Sequence, residues 1–169
     1  MYRAAADSAE RKFQHIQQNA TLAHPDQTPT ALTELEINAY LASGRVQLPK
    51  GVQRVQLTGE AGVVSGTARV DFDQITAGRR SANPLLSLFS GVHELRADAH
   101  ASGSGGQGHV HIDSAALDGV TVPRMALQYF VDKYITPKYP NVGMDSTFQM
   151  PDRIDTAKVG SHKLILTQK

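Results

Sequence analysis

The sequence predicts an α+β domain, with a long curved antiparallel sheet wrapped against one main helix and short helices near the N-terminus. Three observations predict this class. Period-2 alternation of apolar and polar residues runs through 92–114 on both sides of a glycine-rich stretch, as in a half-buried hairpin. The strand and helix patterns do not follow the regular βαβ alternation that is typical of a parallel sheet. Apolar residues make up 40% of the 169 residues, enough for one core.

The N-terminal segment predicts a helix over residues 3–20, followed by a proline-rich linker up to residue 30. Its thin apolar stripe consists of Ala5, Ala9, Phe13, Ile16 and Ala20. Because the stripe is thin, a weakly docked helix, a tether and an integral core helix all fit the pattern. We therefore predict a helix and linker over residues 1–30 and a single α+β domain over residues 31–169.

A second helix and two long strands are predicted next. Thr33 and Glu36 fit a capping box, so a short helix begins there and ends near Ser43. Strands follow over 51–58 and 62–75. The second of these is long for a globular protein, and such length favours a curved sheet.

The central hairpin is predicted to turn through Gly103–Gly106, which places His100 opposite His109 and Asp98 opposite His111. Residues 103–108 also match the dinucleotide fingerprint GxGxxG. That motif requires a helix after its last glycine, whereas a strand pattern follows. We interpret the glycines as a hairpin loop.

Two further helices and three closing strands complete the prediction. A short helix is expected over 82–91, with Asn83 as its cap. The main helix is expected over 124–135, apolar around more than half of its circumference and therefore buried on more than one side. The closing strands are predicted over residues 145–150, 153–159 and 162–167.

Four segments carry a family resemblance. LTELEINAYL, GVVSGTARVDF, LDGVTVPRMALQYFV and MPDRIDTAKVGSHKLIL occur in this order within about residues 31–168. In that order they resemble bacterial exported proteins related to the tubular lipid-binding (TULIP, BPI-like) superfamily. The resemblance implies a curved sheet around a long helix, with an apolar tunnel that holds an acyl chain. A chain of this length corresponds to half of a two-module member.

Composition narrows the classes of partner and compartment. Seventeen basic and sixteen acidic residues leave a net charge of +1, so no electrostatic argument favours nucleic acid, and we expect none as a partner. No apolar run approaches the ~18 residues of a membrane span, so we expect no integral membrane segment. The first residues are too polar for a signal peptide. We expect a periplasmic or secreted protein whose export signal precedes residue 1.

The polar face of the hairpin is the strongest candidate for chemistry. It carries Arg96, Asp98, His100, His109, His111 and Asp113. Imidazoles and a carboxylate at cross-strand spacing suit a divalent metal, but surface ion pairs or a pH-sensitive face explain the same residues. We expect no metal and no cofactor. With no GxSxG or HExxH motif, and no Cys to act as a nucleophile, we also expect no enzymatic activity.

The function these patterns favour is binding or carriage of a lipid or other apolar small molecule, in a cavity between helix 124–135 and the curved sheet. The residues predicted to line it are Phe72, Leu88, Phe89, Met125, Phe130 and Tyr134. The alternative is a cell-envelope domain with a packed core and no ligand, which binds a protein partner or acts as a scaffold.

Overall fold

A computed structural model describes residues 2–77 and 83–169. The described residues form an α+β fold with nine antiparallel strands and four α-helices, which confirms the predicted class. The helices are α1 (Tyr2–Asn19), α2 (Glu34–Ala42), α3 (Phe72–Thr76) and α4 (Arg124–Phe130), with a 3₁₀ turn at Pro84–Leu86 and a π-helical turn at Val131–Ile135. The strands are β1 (Thr30–Thr33), β2 (Val52–Glu60), β3 (Val63–Asp71), β4 (Val92–Ser104), β5 (Gln107–Leu117), β6 (Val120–Thr121), β7 (Asp145–Gln149), β8 (Ile154–Gly160) and β9 (Lys163–Gln168).

Strand β4 is the centre of the sheet. One of its edges pairs first with β3 and then, at Ser102 and Gly103, with β8. Its other edge pairs with β5, which in turn pairs with β6 and β7. In the strand order β1-β9-β8-β4-β3-β2, β4 therefore joins strands β1, β9 and β8 to strands β3 and β2.

The predicted register of the β4–β5 hairpin is wrong by two residues. The loop is only Gly105–Gly106, and both glycines have positive φ, of 57° and 80°. A two-residue turn of this kind lets pairing continue to the end of the strands, so His100 lies opposite His111 and not His109. A shift by two residues keeps each side chain on its face, which is why the predicted apolar and polar faces hold.

A bulge changes the next pairs along the same hairpin. Asp98 lies opposite Ser114, whereas Ala99 lies opposite Ile112, so Asp113 is the extra residue on β5. The predicted pairing of Asp98 with His111 is therefore also wrong. The strand that follows the glycine-rich loop confirms that these glycines do not open a nucleotide-binding helix.

Several predicted boundaries also need correction. The strand predicted over 62–75 ends at Asp71, whose carboxylate accepts a hydrogen bond from the Asp73 amide and caps α3.

The helix predicted over 124–135 has seven α-helical residues and continues as the π-helical turn. The longest helix of the described residues is α1, with 18 residues. The helix predicted over 82–91 is a 3₁₀ turn, and Ala82 lies outside the described residues.

The fold has two hydrophobic clusters. The first, which we call the aromatic core, lies between β3, β5, α3 and α4, and its largest buried members are Phe72, Phe89, Leu127 and Phe130. The second, the N-terminal core, lies between α1, β1, α2 and β9, and its buried members are Ala9, Ile16, Leu32 and Leu166. Ala9 has no exposed surface, so α1 packs closely against the rest of the N-terminal core.

Strand β1 was missed by the sequence prediction. It pairs with β9, with Thr30 opposite Leu166 and Thr33 opposite Lys163. Two buried side-chain amides, those of Asn19 and Gln168, hold the C-terminal end of α1 against β9. Asn19 Nδ2 donates to Gln168 Oε1 over 2.8 Å, and Gln168 Nε2 donates to the Ile16 carbonyl over 2.8 Å. These bonds satisfy polar groups that would otherwise destabilise the buried site.

Within residues 2–77 and 83–169, no helix has both the length and the apolar character needed to span a membrane.

Candidate functional site

Three of the six residues predicted to line a ligand cavity form the centre of the aromatic core. The Phe89 and Phe130 rings stack with centroids 4.2 Å apart, and the Phe72 ring lies 5.5 Å from each of them. All three side chains are buried. At these distances the rings are in direct contact, so they fill the space between one another.

The other three predicted residues lie nearer the surface. Tyr134 is half-buried, with its ring 5.3 Å from that of Phe130. Leu88 is 45% exposed and Met125 is 64% exposed. The structure therefore brings Phe72, Phe89, Phe130 and Tyr134 together, and leaves Leu88 and Met125 largely in solvent.

An apolar pocket lies elsewhere, beneath α2, and we call it the α2 pocket. It has a volume of about 100 Å³. Its walls are mostly aliphatic: Ile37, Leu57, Val64, Val159 and Leu164, with Glu34, Thr58, Gly59 and Lys163 completing the lining. Lys163 and Thr58 are the exposed members of this set.

Hydrogen bonds at the N-terminus and in the middle of α2 hold the helix beside the pocket. At the N-terminus, Thr33 and Glu36 form the predicted capping box, with the Glu36 amide donating to Thr33 Oγ1 over 3.1 Å. Farther along, the Asn38 side chain bonds both backbone groups of Leu57, at 2.8 and 2.9 Å. Asn38 thus occupies the position that a neighbouring strand would take, and it holds α2 against the edge strand β2.

Glu34 connects three walls of the pocket. Its carboxylate accepts a 2.7 Å hydrogen bond from His162 Nδ1, in the turn between β8 and β9, and a 3.3 Å bond from the Gly59 amide at the end of β2. The hydrogen bond to the carboxylate raises the pKa of His162 above its ordinary value. Both bonds are accepted by the same carboxylate oxygen, Oε2.

Lys163 is the cation of the α2 pocket. Its side chain is exposed and makes no hydrogen bond or ion pair with another residue that the structure describes. Its stem lies against Gly160, where a methyl group in place of a glycine hydrogen would come within 3.2 Å of Lys163 Cε and 3.3 Å of Cγ. A side chain at Gly160 would require the Lys163 stem to shift by a few tenths of an ångström.

The histidine face of the hairpin is a row of exposed histidine–carboxylate contacts. His100 Nδ1 lies 2.6 Å from Asp113 Oδ2, while Asp145 Oδ1 lies 3.0 Å from His109 Nε2 and 3.4 Å from His111 Nδ1. Asp145, on β7, was not part of the predicted face. Among residues 2–77 and 83–169, no three His, Asp or Glu side chains are arranged to hold a metal ion. The row therefore has the geometry of surface pairing between β4, β5 and β7.

No family model, curated protein or solved structure matches the chain. The resemblance to tubular lipid-binding proteins stays a prediction.

The α2 pocket was missed because its walls come from several parts of the chain. Leu57 and Val64 belong to one hairpin, Val159 and Leu164 to another, and Ile37 to a helix between β1 and β2. Period-2 alternation identifies the apolar face of each hairpin. It gives no information on how far apart two such faces lie.

Proposed function

We propose that the protein binds a small apolar molecule, or the apolar part of a lipid, without changing it chemically, and that the α2 pocket receives it. The observation that carries this proposal is a cavity of about 100 Å³ with aliphatic walls. Apolar protein cavities of about 150 Å³ stay dry and bind benzene or xenon. A pocket two thirds of that volume suits an alkyl segment of about four carbon atoms.

The proposal moves the binding site away from helix 124–135. Phe72, Phe89 and Phe130 contact one another, so the apolar surface expected to face a ligand is used in packing. Curvature of the sheet is also part of the proposal. Register shifts in the β2–β3, β4–β5 and β8–β9 pairs support it, because bulges bend a strand. The proposed location, periplasmic or secreted, still rests on the resemblance.

Ligand binding can be mapped by NMR, by adding xenon or benzene to the protein and following backbone amide shifts. We expect shifts at Leu57, Val64 and Leu164 that saturate with ligand. Val64→Phe places a ring in the pocket and is expected to abolish them. Val120→Phe is the matched control, because Val120 is 71% exposed and does not line the pocket. Amide spectra of both variants establish that they are folded.

Two results would contradict the α2 pocket as the binding site. Saturable shifts around Phe130 would instead indicate that the ligand binds between the aromatic core and helix 124–135, as the sequence predicts. An absence of saturable shifts in the wild type would favour the alternative function, a cell-envelope interaction or scaffold domain without a ligand. A Val64→Ala variant, which enlarges the pocket, should bind benzene more tightly than the wild type if the proposal holds.

A further inference from the structure

We propose that the open edge of β7 binds an extended, basic segment of a protein partner, which adds to the sheet as a further strand. The proposal concerns a second surface of the molecule, and it does not depend on the α2 pocket. Two observations carry it. The backbone groups along this edge have no partner among the described residues, and an acidic groove lies beside them.

The backbone of β7 presents alternate residues to its two sides. The Met144 carbonyl accepts a hydrogen bond from the Ile112 amide, and the Met150 amide donates to the Gly106 carbonyl, so every second residue from 144 to 150 faces β5. The residues between them direct their amides and carbonyls away from β5: Asp145, Thr147 and Gln149. Strand β7 pairs with β5 alone, and no described residue bonds to these three amides and three carbonyls.

The strands at the two ends of the main strand order, β1 and β2, have covered edges. Lys12 Nζ donates to the Ala31 carbonyl of β1 over 2.7 Å. In β2, the Asn38 side chain bonds both backbone groups of Leu57. Proteins cover edges in this way because unpaired backbone groups recruit another strand. The edge of β7 has no such cover among the described residues, so it can accept a further strand.

A groove of about 440 Å³ lies beside this open edge. On β7 its lining includes Asp145, Ser146 and Thr147, whose side chains alternate between the two faces of the sheet. A groove that contacts all three lies at the edge of the strand, and no residue of β5 lines it. The rest of its lining comes from α4 and the segment that follows: Gln128, Asp132, Thr136 and residues 140–144. A strand added to β7 would therefore border this groove.

The charge of the groove indicates which kind of strand fits it. The charged residues of its lining are Asp132 and Asp145, and the described lining includes no Lys or Arg. Asp132 is exposed and makes no hydrogen bond or ion pair with another described residue. Lys or Arg side chains of an added strand would complement these carboxylates. Pairing of β7 with β7 of a second copy would instead bring two acidic grooves together, which like charges oppose.

Three blocked hexapeptides test the proposal by NMR titration at pH 7. The first alternates Lys and Val, the second alternates Glu and Val, and the third is the first with every backbone amide methylated. The valines favour an extended conformation in each peptide. Binding is followed through the amide shifts and the hydrogen exchange of Asp145, Thr147 and Gln149.

Two variants of the protein, each with a matched control, separate backbone pairing from charge. Thr147→Pro removes an outward amide and no bond to β5, as proline does on edge strands. Its control is Thr121→Pro on β6, because Val122 donates to Ala115 and the exposed Thr121 therefore also faces away from β5. Asp132→Asn removes a charge from the groove. Its control is Asp152→Asn, since Asp152 is exposed and does not line the groove.

We expect the wild type to bind the basic peptide about ten-fold more tightly than the acidic one, and the methylated peptide not at all. Thr147→Pro should abolish binding and Asp132→Asn should weaken it about three-fold, whereas both controls should bind as the wild type does. Equal binding of the basic and methylated peptides, or of the basic and acidic ones, would overturn the proposal. Concentration-dependent shifts at Thr147 without peptide would overturn it in favour of a second copy at this edge.

Discussion

The aromatic core and the N-terminal region, by which we mean α1, β1 and α2, stabilise the same sheet by different means. In the aromatic core, large rings contact one another and polar groups are few. In the N-terminal region, small residues of α1 pack closely, while Asn19 and Asn38 donate side-chain hydrogen bonds and Glu36 accepts one from Lys12, and these bonds hold the helices in place. Because these bonds position α2, complete apolar packing beneath this helix is not required. The α2 pocket therefore lies beside a helix that hydrogen bonds hold in place, whereas the large apolar side chains of the aromatic core pack against one another.

Phe130→Ala gives the largest expected change and tests the packing of the aromatic core. Phe130 is buried and contacts Phe72, Phe89 and Tyr134, so its truncation should lower the free energy of unfolding by about 3–5 kcal/mol. Urea denaturation measures this. Met125→Ala on the same helix, where the side chain is exposed, should change it by less than about 0.5 kcal/mol. A loss below about 1 kcal/mol for Phe130→Ala would show that the rings do not form a tightly packed core.

Glu36→Gln tests the strongest polar contact of the N-terminal region. The buried Glu36 carboxylate accepts hydrogen bonds from Ser8 and the Thr33 amide and pairs with Lys12 Nζ at 2.8 Å. The variant should lose about 2 kcal/mol of unfolding free energy at pH 7. Glu10→Gln is the control, because Glu10 is exposed and its pair with Arg45 lies at the surface, where ion pairs contribute little to stability. Equal losses for the two variants would contradict a special role for Glu36.

Glu36 also makes the N-terminal region sensitive to acid. Burial acts to raise its pKa, but hydrogen bonds from Lys12, Ser8 and Thr33 outweigh this effect and lower the pKa to about 2 from an ordinary 4.5. A lowered folded-state pKa stabilises the fold fully above pH 4.5 and progressively less as the pH falls toward 2. Urea midpoints measured across this window should fall more steeply for the wild type than for Glu36→Gln. Parallel pH profiles would contradict this assignment.

Asn38→Ala tests the contact that sets the spacing of α2 and β2, with a smaller expected effect. The variant removes both hydrogen bonds to the Leu57 backbone and should cost about 1–2 kcal/mol. It should also speed hydrogen exchange of the Leu57 amide, which donates to Asn38 Oδ1. Leu35→Ala is the control on the same helix, since Leu35 is 50% exposed. Unchanged exchange at Leu57 would indicate that packing alone positions α2.

The smallest expected effects are on two histidines, one in each region. Hydrogen bonds that the rings donate to the Asp118 and Glu34 carboxylates raise the pKa values of His93 and His162 respectively. Asp118→Asn and Glu34→Gln should each lower the pKa of the partner histidine alone, as followed by NMR titration of the ring protons. A raised pKa stabilises the fold below the ordinary value of 6.5 and ceases to do so as the pH rises through the folded-state value. If either substitution changed the pKa of both histidines, the two histidine–carboxylate pairs would not be independent of each other.

Local patterns predicted local structure well. The capping box at Thr33 and Glu36 forms because its partners are three residues apart, and the hairpin faces hold because alternation survives a shift by two. Features that depend on distant partners were missed. Strand β1 has only four residues and is defined by its pairing with β9 at the opposite end of the chain. The helix after Asp71 was predicted as strand, because its residues continue the alternating pattern of β3.

The predicted binding residues were chosen by hydrophobicity, and this criterion does not separate a side chain that packs from one that lines a cavity. Phe130 and Ile37 are both apolar helix residues, yet Phe130 stacks on Phe89 whereas Ile37 lines the α2 pocket. The difference arises from the size of the opposing groups. Phe130 meets rings, whereas Ile37 faces the smaller side chains Val64 and Val159.

The pairing of β1 with β9 has a consequence for the order in which the chain folds. During synthesis α1 and β1 emerge before the β2–β5 meander, whereas the strand that β1 pairs with and the amide that Asn19 contacts emerge after it. The meander can form in the meantime, since its strands are neighbours in sequence. Ala9 and Ile16 therefore lack their contacts with β9 until that strand has been made, and incompletely packed apolar side chains make a nascent chain prone to aggregation.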